Sequence, residues 1–376
     1  MDIIGSILTG IPVFIILLGP LMFVHELGHF LAAKRAGIRV EEFGMGFPPR
    51  ALTLFKRGDT VYSLNWLPIG AFVRMTGEED PTDKRSFAAA PKRWRIITLM
   101  AGPGMNFVAA IVILFFAYLL FATRVTDGQY RVDDVRAGSP AEQLGMKLGD
   151  VVMTANGVDM TQHLDANNTR LPTVLPLKQQ SQQSIGKPFT VEVMRRDADG
   201  AQRKVVLQGT IPATANPDAP LGVSLSMMAV KAERTVYTVD QAFVEAVNDT
   251  GNVMVSMVRV PLDLIRGTLS IEQARPTGIV GITGIGVALI KQNDIQGLFP
   301  FIRFAGLLSL ILGLTNLLPI PALDGGRIVF VLIEWIRGRR IDPIREQWVH
   351  GIGMIILLAL SAVIVVLDIV RPISLP

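Results

Sequence analysis

The sequence predicts a polytopic α-helical membrane protein of about four transmembrane helices, with a β-hairpin in its first inter-helix loop and an inserted α+β domain. Three observations lead there. Half of the 376 residues are hydrophobic and only 18% are charged, and the mean hydropathy is +0.42, a balance outside that of ordinary soluble globules. Four apolar segments approach or exceed the roughly 20 residues that cross a hydrocarbon core. Between the second and third lies a more polar stretch with the short strand runs and turn signals of a folded aqueous domain.

The first apolar segment covers residues 3–33 and ends at Lys34-Arg35. Its start, Met1-Asp2, has no basic n-region, and no small-x-small site precedes His25, so a retained span is expected rather than a cleaved signal peptide. The second segment, 96–122, follows Lys92, Arg93 and Arg95. In the third, 298–318, Arg303 lies near the start, where a long side chain can snorkel. The fourth, 351–370, has no charge before Asp368. Basic residues gather in two loops: Lys34 to Arg95 between spans one and two, and Arg337, Arg339, Arg340 and Arg345 before span four. The positive-inside rule puts both loops in the cytoplasm, with both chain ends and residues 124–297 outside.

Within the first loop, residues 61–67 are rich in strand formers, and 71–75 are expected to pair with them across Pro68-Ile69-Gly70. This reads as a small amphipathic hairpin or as an edge strand beside an active site, where main-chain hydrogen bonding would hold a peptide extended. The outer segment opens with strands at 130–135 and 150–156. A helix starts between them at Ser139 as N-cap with Pro140 in its first turn. A hairpin over 189–194 and 202–207 is expected around the turn Asp197-Ala198-Asp199-Gly200, with a last strand over 221–226. The Gln-, Asn- and Ser-rich stretch 163–187 reads as a loop or insertion. Residues 241–265 are helical, with Phe243, Val247, Met254, Met257 and Ile265 as either a core-facing stripe or the face of a helix lying on the outer membrane surface. Residues 278–290 are apolar but short and glycine-rich, which suits a buried or re-entrant segment. The expected domains are therefore 1–123 and 298–376 in the membrane, 124–230 as the aqueous domain, and 231–297 as connecting helices.

The formal charge is +4, from 36 Lys and Arg against 32 Asp and Glu, too mild to point to nucleic acid. There is no cysteine, so disulfides are excluded and any metal is held by nitrogen and oxygen.

The chemistry centres on His25-Glu26-Leu27-Gly28-His29. Two histidines four apart fall on one helical face and can share one zinc ion, and the glutamate beside the first can act as a base on water. Ionisable groups following an uncharged run at 11–24 are functional by default in lipid. A catalytic zinc takes a third protein ligand. Of the other histidines, His163 falls in the outer domain and His350 at a loop edge. Asp324 is the better candidate, in Asn316-Leu317-Leu318-Pro319-Ile320-Pro321-Ala322-Leu323-Asp324-Gly325-Gly326. Two prolines there break a helix at membrane depth, and the paired glycines allow close backbone approach. The alternative is that Asp324 merely caps the next helix. Asn316 either hydrogen-bonds a substrate or ties the broken backbone together.

The residues resemble the site-2 protease family of intramembrane metalloproteases, in its bacterial RseP-like branch. The match runs in order through His25-Glu26-Leu27-Gly28-His29, Phe43-Gly44-Met45-Gly46-Phe47, Leu67-Pro68-Ile69-Gly70-Ala71-Phe72-Val73-Arg74-Met75, Ala101-Gly102-Pro103-Gly104-Met105-Asn106-Phe107 and the Asn316–Gly326 stretch. The resemblance implies zinc bound by His25, His29 and Asp324, Glu26 as catalytic base, Asn316 against substrate, and a membrane-associated β-element whose residues Gly70, Ala71, Phe72 and Val73 bind an unwound substrate. Ala71 stands where relatives carry a second glycine. The outer domain resembles a PDZ domain, through Arg136-Ala137-Gly138-Ser139-Pro140-Ala141 and Leu148-Gly149-Asp150-Val151-Val152. Leu221, Gly222 and Val223 then stand where a loop would bind a peptide C-terminus. The family implies a bacterial inner-membrane location and cleavage of single-pass membrane proteins such as anti-sigma factors or remnant signal peptides. The competing reading is a non-proteolytic PDZ adaptor, against which the intact Glu26 argues. A transporter would call for inverted repeats, and none is seen.

Overall fold

An uncharged run forms a helix in lipid because a helix satisfies its own backbone N–H and C=O groups. The computed structural model describes residues 3–78, 80–163, 176–196, 201–217, 219–266, 276–291 and 297–370. It opens with α1 (Ile3–Arg35), whose last turn holds Lys34 and Arg35, charges suited to the negative end of the helix dipole. β1 (Val40–Arg57) and β2 (Thr60–Met75) follow as an antiparallel pair. Then comes α2 (Lys92–Phe116), extended by one π-helical turn, Ala117–Phe121.

The β1–β2 pair bends into four segments. Residues 42–45 pair with 71–74 on one side and with 61–64 on the other, while 50–57 pair with 60–65. The order across the sheet is thus 71–75, 40–45, 61–65, 50–57, with 71–75 at an edge. This corrects the expected hairpin: 61–67 and 71–75 do not pair with each other, because 40–45 lies between them. Phe43 explains the insertion. Its ring packs 5.4 Å from that of Phe23, 5.1 Å from Phe30 and 6.2 Å from Tyr62, which draws the strand under α1 and between the halves of β2. Beside it the buried Glu42 accepts from Ser63 Oγ at 2.7 Å and Arg50 Nε at 2.9 Å, and pairs with Arg74. Burial alone would raise this carboxyl; the hydrogen bonds from Arg50 and Ser63 outweigh it and hold Glu42 below the ordinary carboxylate range.

The inserted unit contains β3 (Thr123–Val135), α3 (Pro140–Leu144), β4 (Val151–Ala155), β5 (Val158–Asp159), β6 (Gln162–His163), α4 (Pro176–Gln183), β7 (Pro188–Arg196), β8 (Gln202–Thr210) and β9 (Val223–Arg234). Its sheet runs β9-β3-β4-β7-β8, with β6 beside β3 and β5 beside β4. Tyr130, Val132, Met160, Leu177, Phe189 and Ile211 form its core. Ser139 Oγ accepts the Glu142 N–H at 3.3 Å, and Pro140 opens α3, as the sequence predicts. The stretch read as a loop over 163–187 contains α4. Leu177 and Ser181, four apart, are buried, and glutamine favours helix once one face is anchored. Residues 164–175 and the turn 197–200 lie outside the described residues.

The chain continues with α5 (Val239–Ile265), α6 (Ile279–Lys291), α7 (Phe299–Asn316), α8 (Asp324–Arg337) and α9 (Pro343–Val370). Among the described residues four helices are long and apolar enough to cross a membrane: Gly10–Arg35, Lys92–Phe121, Phe299–Asn316 and Pro343–Val370. By contacts the chain divides into two units. One comprises 1–122, 236–291 and 298–373, and the other is built on 123–235. In the membrane unit α5 turns its small residues Ala242 and Ala246 inward, while Phe243, Val247, Met254 and Ile265 are exposed. The core-facing alternative therefore fails for these four, which point away from the bundle; Met257 of the same stripe is half-buried. Asp249 ties α5 down, meeting Arg303 of α7 at 2.6 and 2.8 Å and accepting from Tyr118 Oη at 2.8 Å. The apolar stretch 278–290 is a regular helix, and Gly278 and Gly281 donate their N–H groups to Asp368 of α9 at 3.0 and 2.9 Å.

Candidate metal centre

His25 and His29 stand one turn apart near the end of α1, and both are buried. Their Nε2 atoms are 3.1 Å apart. Asp324, the first residue of α8, brings Oδ2 to 3.1 Å from His25 Nε2 and 3.3 Å from His29 Nε2. The capping alternative for Asp324 does not hold: Leu323 is the N-cap, and no side chain bonds the cap. The glycines act as expected. A Cβ on Gly325 would lie 2.2 Å from the Leu318 carbonyl oxygen, so the start of α8 can fold back only with a bare backbone.

Two imidazoles and a carboxylate are the donor set of catalytic zinc. Bonds of about 2.0–2.1 Å give a tetrahedral edge of about 3.3–3.4 Å, and the three observed separations sit at that scale. Among the described residues this is the group of His, Asp and Glu side chains with metal-ligand spacing. The surroundings fix the rings. His29 Nδ1 donates to the Thr98 carbonyl at 2.7 Å, which leaves Nε2 with its lone pair toward Asp324. The fully buried Asn106 amide lies 3.1 Å from His25 Nδ1.

Glu26 lies on the same face of α1 as Phe23 and Phe30, about one turn from each, and accepts the Val73 N–H at 3.1 Å. Val73 lies in the 71–75 edge, so the base candidate borders an open strand. Ala71 is buried and pairs with Met45, and Phe72 pairs with Gly44. Gly70 has φ +78°, with Met22 of α1 where a Cβ would project. Asn316 ends α7 and donates from Nδ2 to the Leu312 carbonyl at 3.0 Å; in this state it serves its own helix. Leu221, Gly222 and Val223 belong to the inserted unit. There the Leu221 and Gly222 carbonyls accept from Ala141 and Arg136, both at 3.0 Å.

A model of peptidase family M50 matches residues 13–360. The chain belongs to peptidase family M50, the site-2 proteases. Among its relatives, a Clostridium perfringens protein provisionally named a zinc metalloprotease is 31% identical over 94% of this chain and 96% of its own length. Regulator of sigma-W protease RasP of Bacillus subtilis is 28% identical over 95% and 97%. Zinc metalloprotease RasP of Geobacillus kaustophilus is 27% identical over the same shares. The protein is thus a membrane zinc metalloprotease of the site-2 type, and zinc is its cofactor. Around the two histidines stand groups to which the sequence reading gave no role: Thr98, Gly102 and Asn106. A Cβ on Gly102 would stand 2.2 Å from His29 Nε2. Gly102 and Asn106 lie in the motif that carried the resemblance, which was the available signal. Thr98 acts through its backbone and left none.

Proposed function

We propose that this M50 protease cuts single-pass membrane proteins within or near their transmembrane segment, with His25, His29 and Asp324 as zinc ligands and Glu26 as the catalytic base. The observation that carries the reading is the convergence of three donor atoms, from two buried histidines and the half-buried Asp324, within 4.8 Å of one another, beside a glutamate held by the amide of an open strand edge. When bound, zinc supplies Lewis acidity and lowers the pKa of the attacking water. Glu26 takes the proton of that water and passes it to the leaving amine. The 71–75 edge offers main-chain groups to a substrate strand, and a helix must unwind before its peptide bonds can be attacked. Asn316, half-buried at the end of α7, can turn from the Leu312 carbonyl to hydrogen-bond the substrate.

Charge asymmetry supports an orientation with the β1–β2 loop and the loop before α9 in the cytoplasm and the inserted unit outside. The active site is then in the membrane toward the cytoplasmic side of a bacterial inner membrane. The family and the RasP relative named for sigma-W suggest anti-sigma factors as substrates, alongside remnant signal peptides. The inserted unit is read as a single PDZ domain. β9 is an edge strand of its sheet, and Leu221, Gly222 and Val223 lead into that edge, which suits a peptide C-terminus added as a strand.

The test is purified protein in liposomes with a single-pass substrate. Glu26→Gln is expected to keep one zinc and lose cleavage, and Asp324→Ala to lose both. Equal cleavage by wild type and Glu26→Gln would reject the mechanism.

A further inference from the structure

Asp324 reaches the two histidines from a turn that is strained. Ala322, two residues upstream, has φ +79°, a left-handed conformation that a residue with a Cβ resists. The support comes from α9. His350 Nδ1 accepts the Ala322 N–H at 2.8 Å. Three residues on, and so on the same face, Gly353 is buried. A Cβ there would stand 2.6 Å from Pro321 Cβ and 2.8 Å from the Pro321 carbonyl oxygen. Helix α9 thus grips the turn through one hydrogen bond and one bare contact. Because Nδ1 accepts, the imidazole proton sits on Nε2, which faces Glu346 Oε1 at 4.0 Å. That side opens on a small cavity shared with Glu78 and Arg327. Arg327, one turn beyond Asp324, is itself anchored to Glu78 at 2.7 Å. The Phe330 ring lies 5.1 Å from the His350 ring and limits its rotation.

We infer that His350 is a positioning residue for the metal site: it holds the Ala322 backbone in its strained form and so sets the Asp324 carboxylate against His25 and His29. The last membrane-spanning helix thereby controls a ligand it does not carry. The inference rests on Asp324 being a zinc ligand. An orienting group behind a ligand typically changes metal affinity by about 10–100-fold when removed.

The experiment uses the full-length protein in detergent, with zinc titrated against a chromophoric chelator. An asparagine places its carbonyl oxygen where Nδ1 sits, whereas the glutamine oxygen reaches the place of Nε2. His350→Asn is therefore expected to bind zinc close to wild type, and His350→Gln and His350→Leu about 10–100-fold more weakly. Cobalt-substituted protein gives a reading independent of turnover. Its visible ligand-field bands should be unchanged in His350→Asn and altered in His350→Gln. If the leucine variant does not fold, the asparagine–glutamine pair decides alone. Equal affinities for those two variants would overturn the inference, as would wild-type affinity in His350→Leu. Asp324→Ala separates the two levels. Zinc retained there rejects the ligand reading itself, while zinc lost there with unchanged His350 variants rejects only the role of His350.

Discussion

Gly102→Ala adds a single methyl group at the point where α2 touches the metal site. The new Cβ would lie 2.2 Å from His29 Nε2, 2.5 Å from Cε1 and 2.8 Å from Cδ2. Contacts tighter than 3.4 Å require the neighbour to give way, so the ring must retreat by about 1.2 Å, the difference between 3.4 and 2.2 Å. His29 has little room to do so, because its Nδ1 is held by the Thr98 carbonyl at 2.7 Å. Zinc sites tolerate bond errors of about 0.2 Å, several times less than this shift. The strain of overpacking is about 1–3 kcal/mol, too little to unfold a helix pair but enough to move the ligand. Misplacing a reacting group by about 1 Å reduces rate by about 100-fold. The assay is zinc content and cleavage rate in liposomes, with Gly104→Ala as control. Gly104 is two residues along the same helix and has nothing within 4 Å of its Cβ position. The expected result is loss of zinc affinity and activity in Gly102→Ala alone. Full zinc and full rate in Gly102→Ala, or equal loss in Gly104→Ala, would refute the argument.

Two further predictions concern what supports the site. Arg95 and Glu334 form an almost fully buried ion pair at 2.5 Å that joins α2 to α8. Glu334→Ala is expected to destabilise the protein by about 3–5 kcal/mol by stranding the arginine, and Arg95→Met with Glu334→Leu to recover most of it; thermal unfolding in detergent measures both. Glu42 carries the pH dependence of the β1–β2 sheet. Its folded carboxyl lies below the reference value of 4.5, so its contribution is complete above that pH and fades as pH falls through the lowered folded value. Glu42→Gln should therefore cost about 1–3 kcal/mol at pH 7. The gap from wild type should narrow toward pH 3, and a gap independent of pH would reject the assignment.

Much of this was legible in the chain because the relevant rules are local. The four spans follow from apolar length, the His25–His29 pair from helical spacing, and the α3 start from Ser139 and Pro140. Asp324 stood out as a candidate because it follows helix-breaking prolines and precedes paired glycines at membrane depth, and its carboxylate does lie 3.1 and 3.3 Å from the two imidazoles. The sheet was harder. Residues 61–67 and 71–75 each read correctly as strand, but the strand between them is the short 42–45 segment, whose strand signal is interrupted by Glu42 and Gly44. Its placement depends on Phe43 reaching Phe23 and Phe30 of α1, a tertiary contact that overrides nearest-neighbour pairing.

The supports of the metal site were illegible for a related reason: each depends on the rotation of one helix against another. Thr98 contributes a carbonyl oxygen, Gly102 the absence of a side chain, and His350 an acceptor nitrogen to a backbone amide 28 residues away. None of these roles requires a periodic pattern or a motif. The proposed ligands are constrained by zinc chemistry to a few residue types, so candidates can be read from sequence. Their supports need only an acceptor, a void or a contact at the right place, which many residue types supply. For an M50 protease this means that ligand residues alone under-specify the site. Substitutions such as Gly102→Ala or His350→Gln should weaken it while leaving every residue of the His-Glu-x-x-His motif in place.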